Sequence, residues 1–166
     1  MHKAPDRIRN VALVGHRGAG KTSLSEALLF EAGVVNRLGS VTEGTTVSDS
    51  EPDEQARQMS ISAALSSFEW RDRKVNLIDT PGEPSFIADA LAALRVCESA
   101  VFVVNAVMGV EVSTSRLWTR AAELGLARMI FVNMLDRERA DFYRTLDSLK
   151  SAFGTHVVAT EIPIGA

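Results

Sequence analysis

Four short apolar runs, separated by segments with helical spacing, organise this chain. The runs are rich in Val, Ile and Phe and have the length of strands that are buried on both faces. They lie at residues 11–14, 75–78, 100–107 and 129–132. Segments with apolar residues three and four positions apart are typical of amphipathic helices, and they lie at 21–32, 84–97, 112–124 and 140–153. This alternation predicts a three-layer α/β fold with a mostly parallel sheet between helices.

One long polar segment, residues 37–59, breaks the alternation. It is rich in Ser, Thr, Glu and Gly and shows no regular period. A connection of this length is either disordered or a functional loop, and we expect it to be mobile when no ligand is bound. Residues 60–70 then alternate loosely, and the charged residues after them favour a hairpin onto the strand at 75–78.

Composition limits the class of protein without assigning a function. The 166 residues are 46% hydrophobic and 23% charged, with a net charge of −3, as in an ordinary globular domain. A single cysteine, Cys97, excludes a disulfide framework and favours a cytoplasmic location. Apolar runs are too short for a membrane span, and the mild acidity disfavours DNA binding through bulk charge. We therefore expect a monomer with neither a membrane nor a sequence-specific DNA partner.

The strongest motif follows the first apolar run and opens the first helical segment. Gly15-His-Arg-Gly-Ala-Gly-Lys-Thr22 matches the P-loop pattern G-x-x-x-x-G-K-[ST] in its required context. Backbone amides of such a loop surround phosphates, its Lys reaches the outer phosphates, and its hydroxyl ligates Mg²⁺. Lys21 is thus also the candidate for stabilising charge in a reaction. The predicted nucleotide-binding residues here are Gly15, His16, Arg17, Gly18, Ala19, Gly20, Lys21, Thr22 and Ser23.

A second polar element ends the apolar run at 75–78. It reads Asp79-Thr-Pro-Gly82, which in isolation is no more than a favourable turn. When a P-loop precedes it in the chain, the element indicates part of the ligand site, because an acidic residue at the carboxyl end of a parallel strand points into the ligand crevice. We expect Asp79 to join Thr22 in holding Mg²⁺, and Gly82 to present its N–H to a γ-phosphate.

Base selection is predicted from the residues after the run at 129–132. Asn133 and Asp136 form an Asn-x-x-Asp pattern there. A carboxylate can accept from both N1–H and the exocyclic amine of guanine, which adenine does not offer. The pattern therefore favours guanine nucleotides, with Asn133 and Asp136 as nucleotide-binding residues, and we expect Asn133 to bond the base and to brace the P-loop. An ATP-using P-loop ATPase or kinase is the alternative that this pattern disfavours.

Taken together, these motifs resemble the G domain of bacterial elongation factor G, and the segment around residues 39–47 most resembles its elongation factor G-like paralogues. The resemblance covers nearly the whole chain, including Ile162-Pro-Ile-Gly165 at its end. It implies a translational GTPase that binds GTP and GDP with Mg²⁺ and acts on the ribosome. It also implies a switch I at about 37–62, in which Ser60 is a Mg²⁺ ligand, and a switch II at about 79–97.

Several residues depart from the pattern of that family. Glu83 stands where the family has the His that orients the attacking water, and Gly18 stands where it often has Asp. Ser60 replaces Thr, Gln58 replaces Gly, and Met134 replaces the Lys of the guanine motif. A carboxylate at position 83 adds like charge beside the γ-phosphate. We therefore expect a slow GTPase in which Lys21 and Glu83 are the catalytic candidates, with a non-hydrolysing, ribosome-associated module as the alternative.

The family pattern also calls for elements beyond this sequence. After Asp136 a GTPase fold needs another strand and a loop that contacts guanine, and only residues 156–164 remain to offer a strand. We therefore expect residues 1–166 to be a fragment of a G domain, with its last elements and later domains absent.

Overall fold

The computed structural model describes residues 3–164 and contains five strands and five α-helices. The strands are β1 (Ile8–Val14), β2 (Ala64–Trp70), β3 (Arg73–Asp79), β4 (Ser99–Asn105) and β5 (Ala127–Asn133). The helices are α1 (Lys21–Glu31), α2 (Pro52–Arg57), α3 (Ile87–Ala93), α4 (Val112–Glu123) and α5 (Phe142–Phe153). Short 3₁₀ turns occur at Pro5–Arg7 and Pro84–Phe86.

The strands form one sheet in the order β2-β3-β1-β4-β5. β3, β1, β4 and β5 are parallel, and β2 pairs antiparallel with β3. The predicted α/β fold, the mostly parallel sheet and the hairpin are therefore confirmed. In this register Leu13 lies beside Asp79, and Asn105 lies beside Asn133. The carboxyl ends of four strands thus share one edge of the sheet, which is where open α/β sheets bind ligands.

The core lies between the sheet and the helices α3 and α4. Phe102 of β4 and Leu94 after α3 are fully buried, and Leu117 of α4 packs in the same cluster. Trp118 extends this cluster, with its ring 4.9 Å from Phe102 and stacked at 4.2 Å on Phe153 of α5. This packing fixes α3, α4 and α5 on the sheet, so the loops at its carboxyl edge start from rigid elements.

Three expectations about the elements need correction. The helix expected at 84–97 is a 3₁₀ turn followed by the shorter α3, and its last turn is closed by 3₁₀-type bonds at Ala92 and Ala93. Residues 156–164, all of which the structure describes, form no strand, and their apolar side chains Val158, Ile162 and Ile164 are exposed. Gly165, the last residue of the expected family segment, lies outside the described residues.

The third correction concerns the polar segment at 37–59, which is not irregular throughout. It contains α2, whose start has Pro52 at its first position and a capping box between Glu51 and Glu54. Such a box satisfies backbone N–H groups at a helix start, so this turn forms without the apolar periodicity used to predict helices. Whether the segment is mobile without a ligand remains a prediction.

None of the helices between residues 3 and 164 has the length and hydrophobicity needed to cross a membrane.

Candidate functional site

The connection between β1 and α1 forms a cradle at the carboxyl edge of the sheet. Lys21 and Thr22 begin α1 and are buried, with 6% and 8% of their surfaces exposed. The Lys21 ammonium folds back over the loop and donates to the His16 carbonyl at 3.0 Å. Gly20 adopts a left-handed conformation, with φ 93°, and a Cβ there would collide with the Asn133 side-chain amide. Glycine at this position is therefore required both by conformation and by close approach.

The segment after β3 packs directly against this cradle. The Arg17 N–H donates to the Gly82 carbonyl at 3.0 Å. A Cβ on Gly82 would collide with the Lys21 ammonium and would lie 2.5 Å from the Arg17 backbone nitrogen. The two motifs, which are far apart in the sequence, are therefore joined by backbone contact. In this conformation the Gly82 carbonyl faces the loop, whereas the predicted contact with a γ-phosphate uses the Gly82 N–H.

A cavity of about 200 Å³ opens between these segments. Nine of the predicted site residues line it: Arg17, Gly18, Gly20, Lys21, Thr22, Ser23, Ser60, Gly82 and Glu83. Five further residues that were not predicted as site residues complete the lining: Val41, Asp49, Gln58, Met59 and Met134. The structure thus brings the P-loop, the polar segment and the start of the predicted switch II around one space. The remaining predicted residues, which do not line it, are Gly15, His16, Ala19, Asp79, Asn133 and Asp136.

Asp79 is the most unusual charged residue near the cavity. It ends β3, is only 2% exposed, and neither carboxylate oxygen has a hydrogen-bond partner among the described residues. Burial raises the pKa of Asp79 to about 6, although the nearby Thr22 and Ser48 hydroxyls and the Lys21 charge act in the opposite direction. A buried carboxylate without a partner is costly. A cation bound beside Thr22 would satisfy this carboxylate.

The Thr22 hydroxyl lies beside this carboxylate, and the Ser60 hydroxyl lies beside that of Thr22. Their oxygens lie 3.2 Å apart, and Ser60 donates to Asp49 Oδ1 at 2.7 Å. Asp49 is 3% exposed, and burial raises its pKa. Hydroxyl and carboxylate oxygens are the ligands that Mg²⁺ prefers, together with water and phosphate oxygens. The residues present therefore fit the predicted Mg²⁺ ligands Thr22, Ser60 and Asp79.

Lys21 is the cation at the centre of this acidic group. Burial lowers the pKa of Lys21 to about 8, and the nearby carboxylates of Asp79 and Asp49 act in the opposite direction. At neutral pH the ammonium therefore remains mostly protonated. A buried positive charge of this kind attracts the negative charge of a phosphate more strongly than an exposed one.

Two buried glutamates hold the polar segment against the cradle. The Glu54 carboxylate in α2 accepts from the N–H groups of Ile61 and Ser62 at 2.9 and 3.2 Å. Glu26 in α1 accepts from the Val47 N–H at 2.7 Å and is 1% exposed. These contacts position Ser60 at the cavity. The family resemblance placed Asp49 and Glu54 in switch I without a task of their own, and sequence reasoning assigned no role to Glu26. Only the Glu51-x-x-Glu54 spacing of a capping box offered a local signal.

The predicted base-selecting residues occupy different surroundings. Asn133 donates from its side-chain amide to the Ala19 carbonyl at 2.9 Å, so it braces the P-loop as expected. Met134 has φ 62°, lines the cavity, and accepts a hydrogen bond at its sulfur from Asn105. Asp136 is exposed and lies outside the cavity lining. Its contact with guanine remains a prediction.

Two further side chains of the P-loop segment make contacts of their own. Arg17 Nη1 lies 3.4 Å from Glu83 Oε2 at the mouth of the cavity. His16 Nδ1 lies 3.3 Å from the Ser113 hydroxyl and 3.8 Å from the Glu111 carboxylate, on the side that faces α4. His16 therefore links the P-loop to α4 and does not face the cavity.

Comparison with known proteins gives a family match along almost the whole chain. The model of the elongation factor Tu GTP binding domain matches residues 6–164. Mitochondrial ribosome-releasing factor 2 of Debaryomyces hansenii is 40% identical over 159 residues, which are 96% of this chain and 18% of that protein. The elongation factor G-like protein of Mycobacterium tuberculosis is 42% identical over 161 residues, 97% of this chain and 22% of that protein.

A solved structure agrees with this match. The chain superposes on a crystal structure of a Thermus thermophilus protein with a TM-score of 0.85 and 41% identity, covering 89% of this chain and 22% of that one. The chain thus spans about a fifth of the length of the relatives that it matches.

Proposed function

The chain belongs to the translational GTPase family defined by the elongation factor Tu GTP binding domain, and we propose that it binds GTP and GDP with Mg²⁺ and hydrolyses GTP slowly. Its relatives include elongation factor G-like proteins, as its motifs predict. GTP hydrolysis by a water molecule that attacks the γ-phosphate is the proposed reaction. The proposal takes residues 37–62 as switch I and 79–97 as switch II.

The observation that carries this proposal is the unpartnered Asp79 carboxylate beside Lys21 and Thr22. A buried lysine and a buried, unpaired carboxylate at the start of a P-loop helix are costly without a ligand. A nucleotide phosphate would satisfy the Lys21 ammonium, and the Mg²⁺ that accompanies it would satisfy Asp79. The same pair of ligands explains why both groups are buried.

Each group in the cradle has a distinct task in this reaction. The Lys21 ammonium and the loop amides would stabilise negative charge that develops on the phosphate oxygens. Thr22, Ser60 and Asp79 would hold Mg²⁺, directly or through water, and this ion supplies further neutralisation of phosphate charge when bound. Asn133 keeps the loop in place through its bond to Ala19. Asp136 is proposed to select guanine through its carboxylate.

Glu83 is the reason to propose a slow rate. A positioned water-orienting or base group contributes about 10²- to 10⁴-fold to such reactions. A carboxylate is a weaker base than the imidazole it replaces, and its negative charge repels the γ-phosphate. Pro84 begins a 3₁₀ turn directly after it, and this turn restricts how far the backbone can adjust.

For the whole protein we propose a ribosome-linked switch that acts in the cytoplasm. The support for the ribosomal role is the elongation factor G-like relative and the relative named as a mitochondrial ribosome-releasing factor. The support for the cytoplasm is the single cysteine of the sequence. The same domain, holding nucleotide without turnover, is the second candidate function. The Glu83 carboxylate at the cavity is the observation that favours it.

Phosphate release under single-turnover conditions tests the proposal and separates the two candidates. The purified chain is incubated with Mg²⁺ and GTP, alone and with ribosomes, beside the Lys21→Ala and Glu83→His variants. We expect slow release that Lys21→Ala abolishes and Glu83→His accelerates by about 10²-fold or more. GTP binding without any release in the wild type would support the non-hydrolysing switch, and release that survives Lys21→Ala would contradict the proposed site.

A further inference from the structure

Arg17 and Glu83 meet at the mouth of the cavity, and the phosphate chemistry above gives no task to the arginine. The two side chains approach to 3.4 Å and are 54% and 29% exposed. Both residues line the cavity. An exposed pair of this kind contributes little to stability. Its importance lies instead in the charges that it brings to the phosphate cradle.

Glu83 alone is an unfavourable neighbour for a γ-phosphate. It follows Gly82, whose Cα lies so close to the Lys21 ammonium that a Cβ would collide with it. Lys21 is the group placed to contact the outermost phosphate, and Glu83, the next residue after Gly82, lines the same cavity. Two negative charges that share one small cavity repel each other. A diphosphate, which lacks the outermost group, experiences less of this repulsion.

Arg17 is linked to the same segment through both its backbone and its side chain. Its N–H donates to the Gly82 carbonyl at 3.0 Å, and its guanidinium reaches the next residue, Glu83. The backbone bond keeps the two chain segments together, so the guanidinium and the carboxylate stay within reach of each other. Among the described residues, no other lysine or arginine nitrogen lies within 4.0 Å of Glu83. Arg17 is therefore the group that balances the Glu83 charge.

We propose that Arg17 neutralises Glu83 and thereby sets the preference of this site for a nucleoside triphosphate over a diphosphate. The inference rests on the proposed function, because it requires a γ-phosphate near Lys21. The Arg17 guanidinium thereby affects which nucleotide binds more tightly, whereas the backbone amides of the P-loop contact the phosphates of either nucleotide. Neutralisation by Arg17 also explains how a carboxylate at position 83 is compatible with triphosphate binding.

The test compares the affinities of a non-hydrolysable GTP analogue and of GDP, measured by calorimetric titration with Mg²⁺. The variants are Arg17→Gln, Arg17→Lys, Glu83→Gln and the double variant with Gln at both positions. Arg120→Gln is the matched control, because Arg120 forms an exposed ion pair with Glu123 on α4. Thermal unfolding of each variant shows that it is folded.

We expect Arg17→Gln to lower the ratio of triphosphate to diphosphate affinity about tenfold, as one unbalanced charge near a phosphate would. Arg17→Lys should keep most of the ratio, and Arg120→Gln should leave it unchanged. Glu83→Gln alone should raise the ratio, because it leaves Arg17 as an unpaired cation. The double variant should return it to the wild-type value. If Arg17→Gln does not fold, the expected rise of the affinity ratio in Glu83→Gln still tests the inference.

The inference is overturned if Arg17→Gln weakens both nucleotides equally, or if removing the Glu83 charge does not restore the ratio. Either result would make Arg17 a purely structural part of the loop. If the wild type binds both nucleotides and the variants leave the ratio of triphosphate to diphosphate affinity unchanged, this inference alone is overturned. A wild type that binds neither nucleotide overturns the proposed function as well.

Discussion

The Asn133 side-chain amide donates to the Ala19 carbonyl at 2.9 Å, joining the end of β5 to a loop 114 residues earlier in the chain. This bond holds the P-loop at Ala19, and the Gly82 carbonyl holds it at Arg17. It also places Asn133 so close to Gly20 that a side chain there would collide with it. The conformation of the cradle therefore depends on a residue that does not line the cavity itself.

Removing this brace should weaken nucleotide binding without changing nucleotide preference. Loss of one partner of a half-buried hydrogen bond costs about 1–3 kcal/mol, so we expect Asn133→Ala to weaken GTP and GDP about tenfold each. Calorimetric titration measures both affinities. Asn76→Ala is the control, since its amide makes a comparable 2.8 Å bond to Asn10 between neighbouring strands. The control should reduce the melting temperature yet leave both affinities unchanged, and equal losses in the two variants would argue against the bracing role.

Asp79 should make nucleotide affinity depend on magnesium. Its carboxylate is buried without a partner among the described residues, and Asn in its place removes the charge that attracts a divalent cation. For Asp79→Asn we expect GDP affinity to become nearly the same with Mg²⁺ and with a chelator, whereas the wild type should bind much more tightly with Mg²⁺. Titrations at matched ionic strength provide the comparison. A variant that keeps the full Mg²⁺ effect would remove Asp79 from the ligand set.

The same carboxylate predicts a pH dependence of stability in the metal-free and nucleotide-free chain. Its pKa is about 6 in the folded chain, against an ordinary value of 3.8, so the folded state holds a proton that the unfolded state has released. The free energy of unfolding therefore contains a contribution that is fully present below about pH 4 and is lost as the pH rises to about 6. The loss amounts to about 3 kcal/mol.

Urea unfolding of the wild type and of Asp79→Asn with a chelator isolates this effect from the other carboxylates. The difference in unfolding free energy between them should shift in favour of the Asn variant between about pH 4 and about pH 7. Parallel pH curves for the two proteins would contradict the burial of an ionisable, unpaired Asp79.

Ser60 should contribute to the binding of GTP with Mg²⁺ through its hydroxyl. This group donates to Asp49 at 2.7 Å and lies 3.2 Å from the Thr22 hydroxyl. Ser60→Ala leaves the buried Asp49 carboxylate without this donor, which costs about 1–3 kcal/mol. We expect about tenfold weaker binding of GTP with Mg²⁺ in Ser60→Ala, and near wild-type binding in Ser60→Thr, which keeps the hydroxyl. Fluorescent-nucleotide titration measures the effect, and equal losses in the two variants would indicate a steric cause.

Local patterns in the sequence predicted the fold because four strands are short apolar runs and most helices have apolar residues at helical spacing. The family resemblance followed from short motifs with a defined chemistry, and the match over residues 6–164 confirms it. α2 escaped prediction because its six residues form through capping at Glu51 and Pro52, not through an apolar face. The helix expected at 84–97 was too long because its apolar spacing continues past Ala93, where α3 ends.

The site was predictable only where a motif marks it. Lys21 and Thr22 belong to the P-loop pattern, and the structure places both at the cavity. Asp49 carries no local signal, since its burial results from a long-range contact with Ser60 and from the way Glu54 and Glu26 hold the polar segment. The pairing of Arg17 with Glu83 likewise results from contact between two segments that are distant in the sequence. Contacts between segments distant in sequence depend on the assembled sheet and cannot be inferred from any one segment.

The central claim, that this cradle binds guanine nucleotides, is tested most directly by calorimetric titration of the chain with GDP and ADP in the presence of Mg²⁺. The measurement is repeated with Lys21→Ala. We predict saturable GDP binding, ADP binding that is about 100-fold weaker, and loss of GDP binding in the variant. Equal affinity for GDP and ADP, or GDP binding that survives Lys21→Ala, would contradict the account.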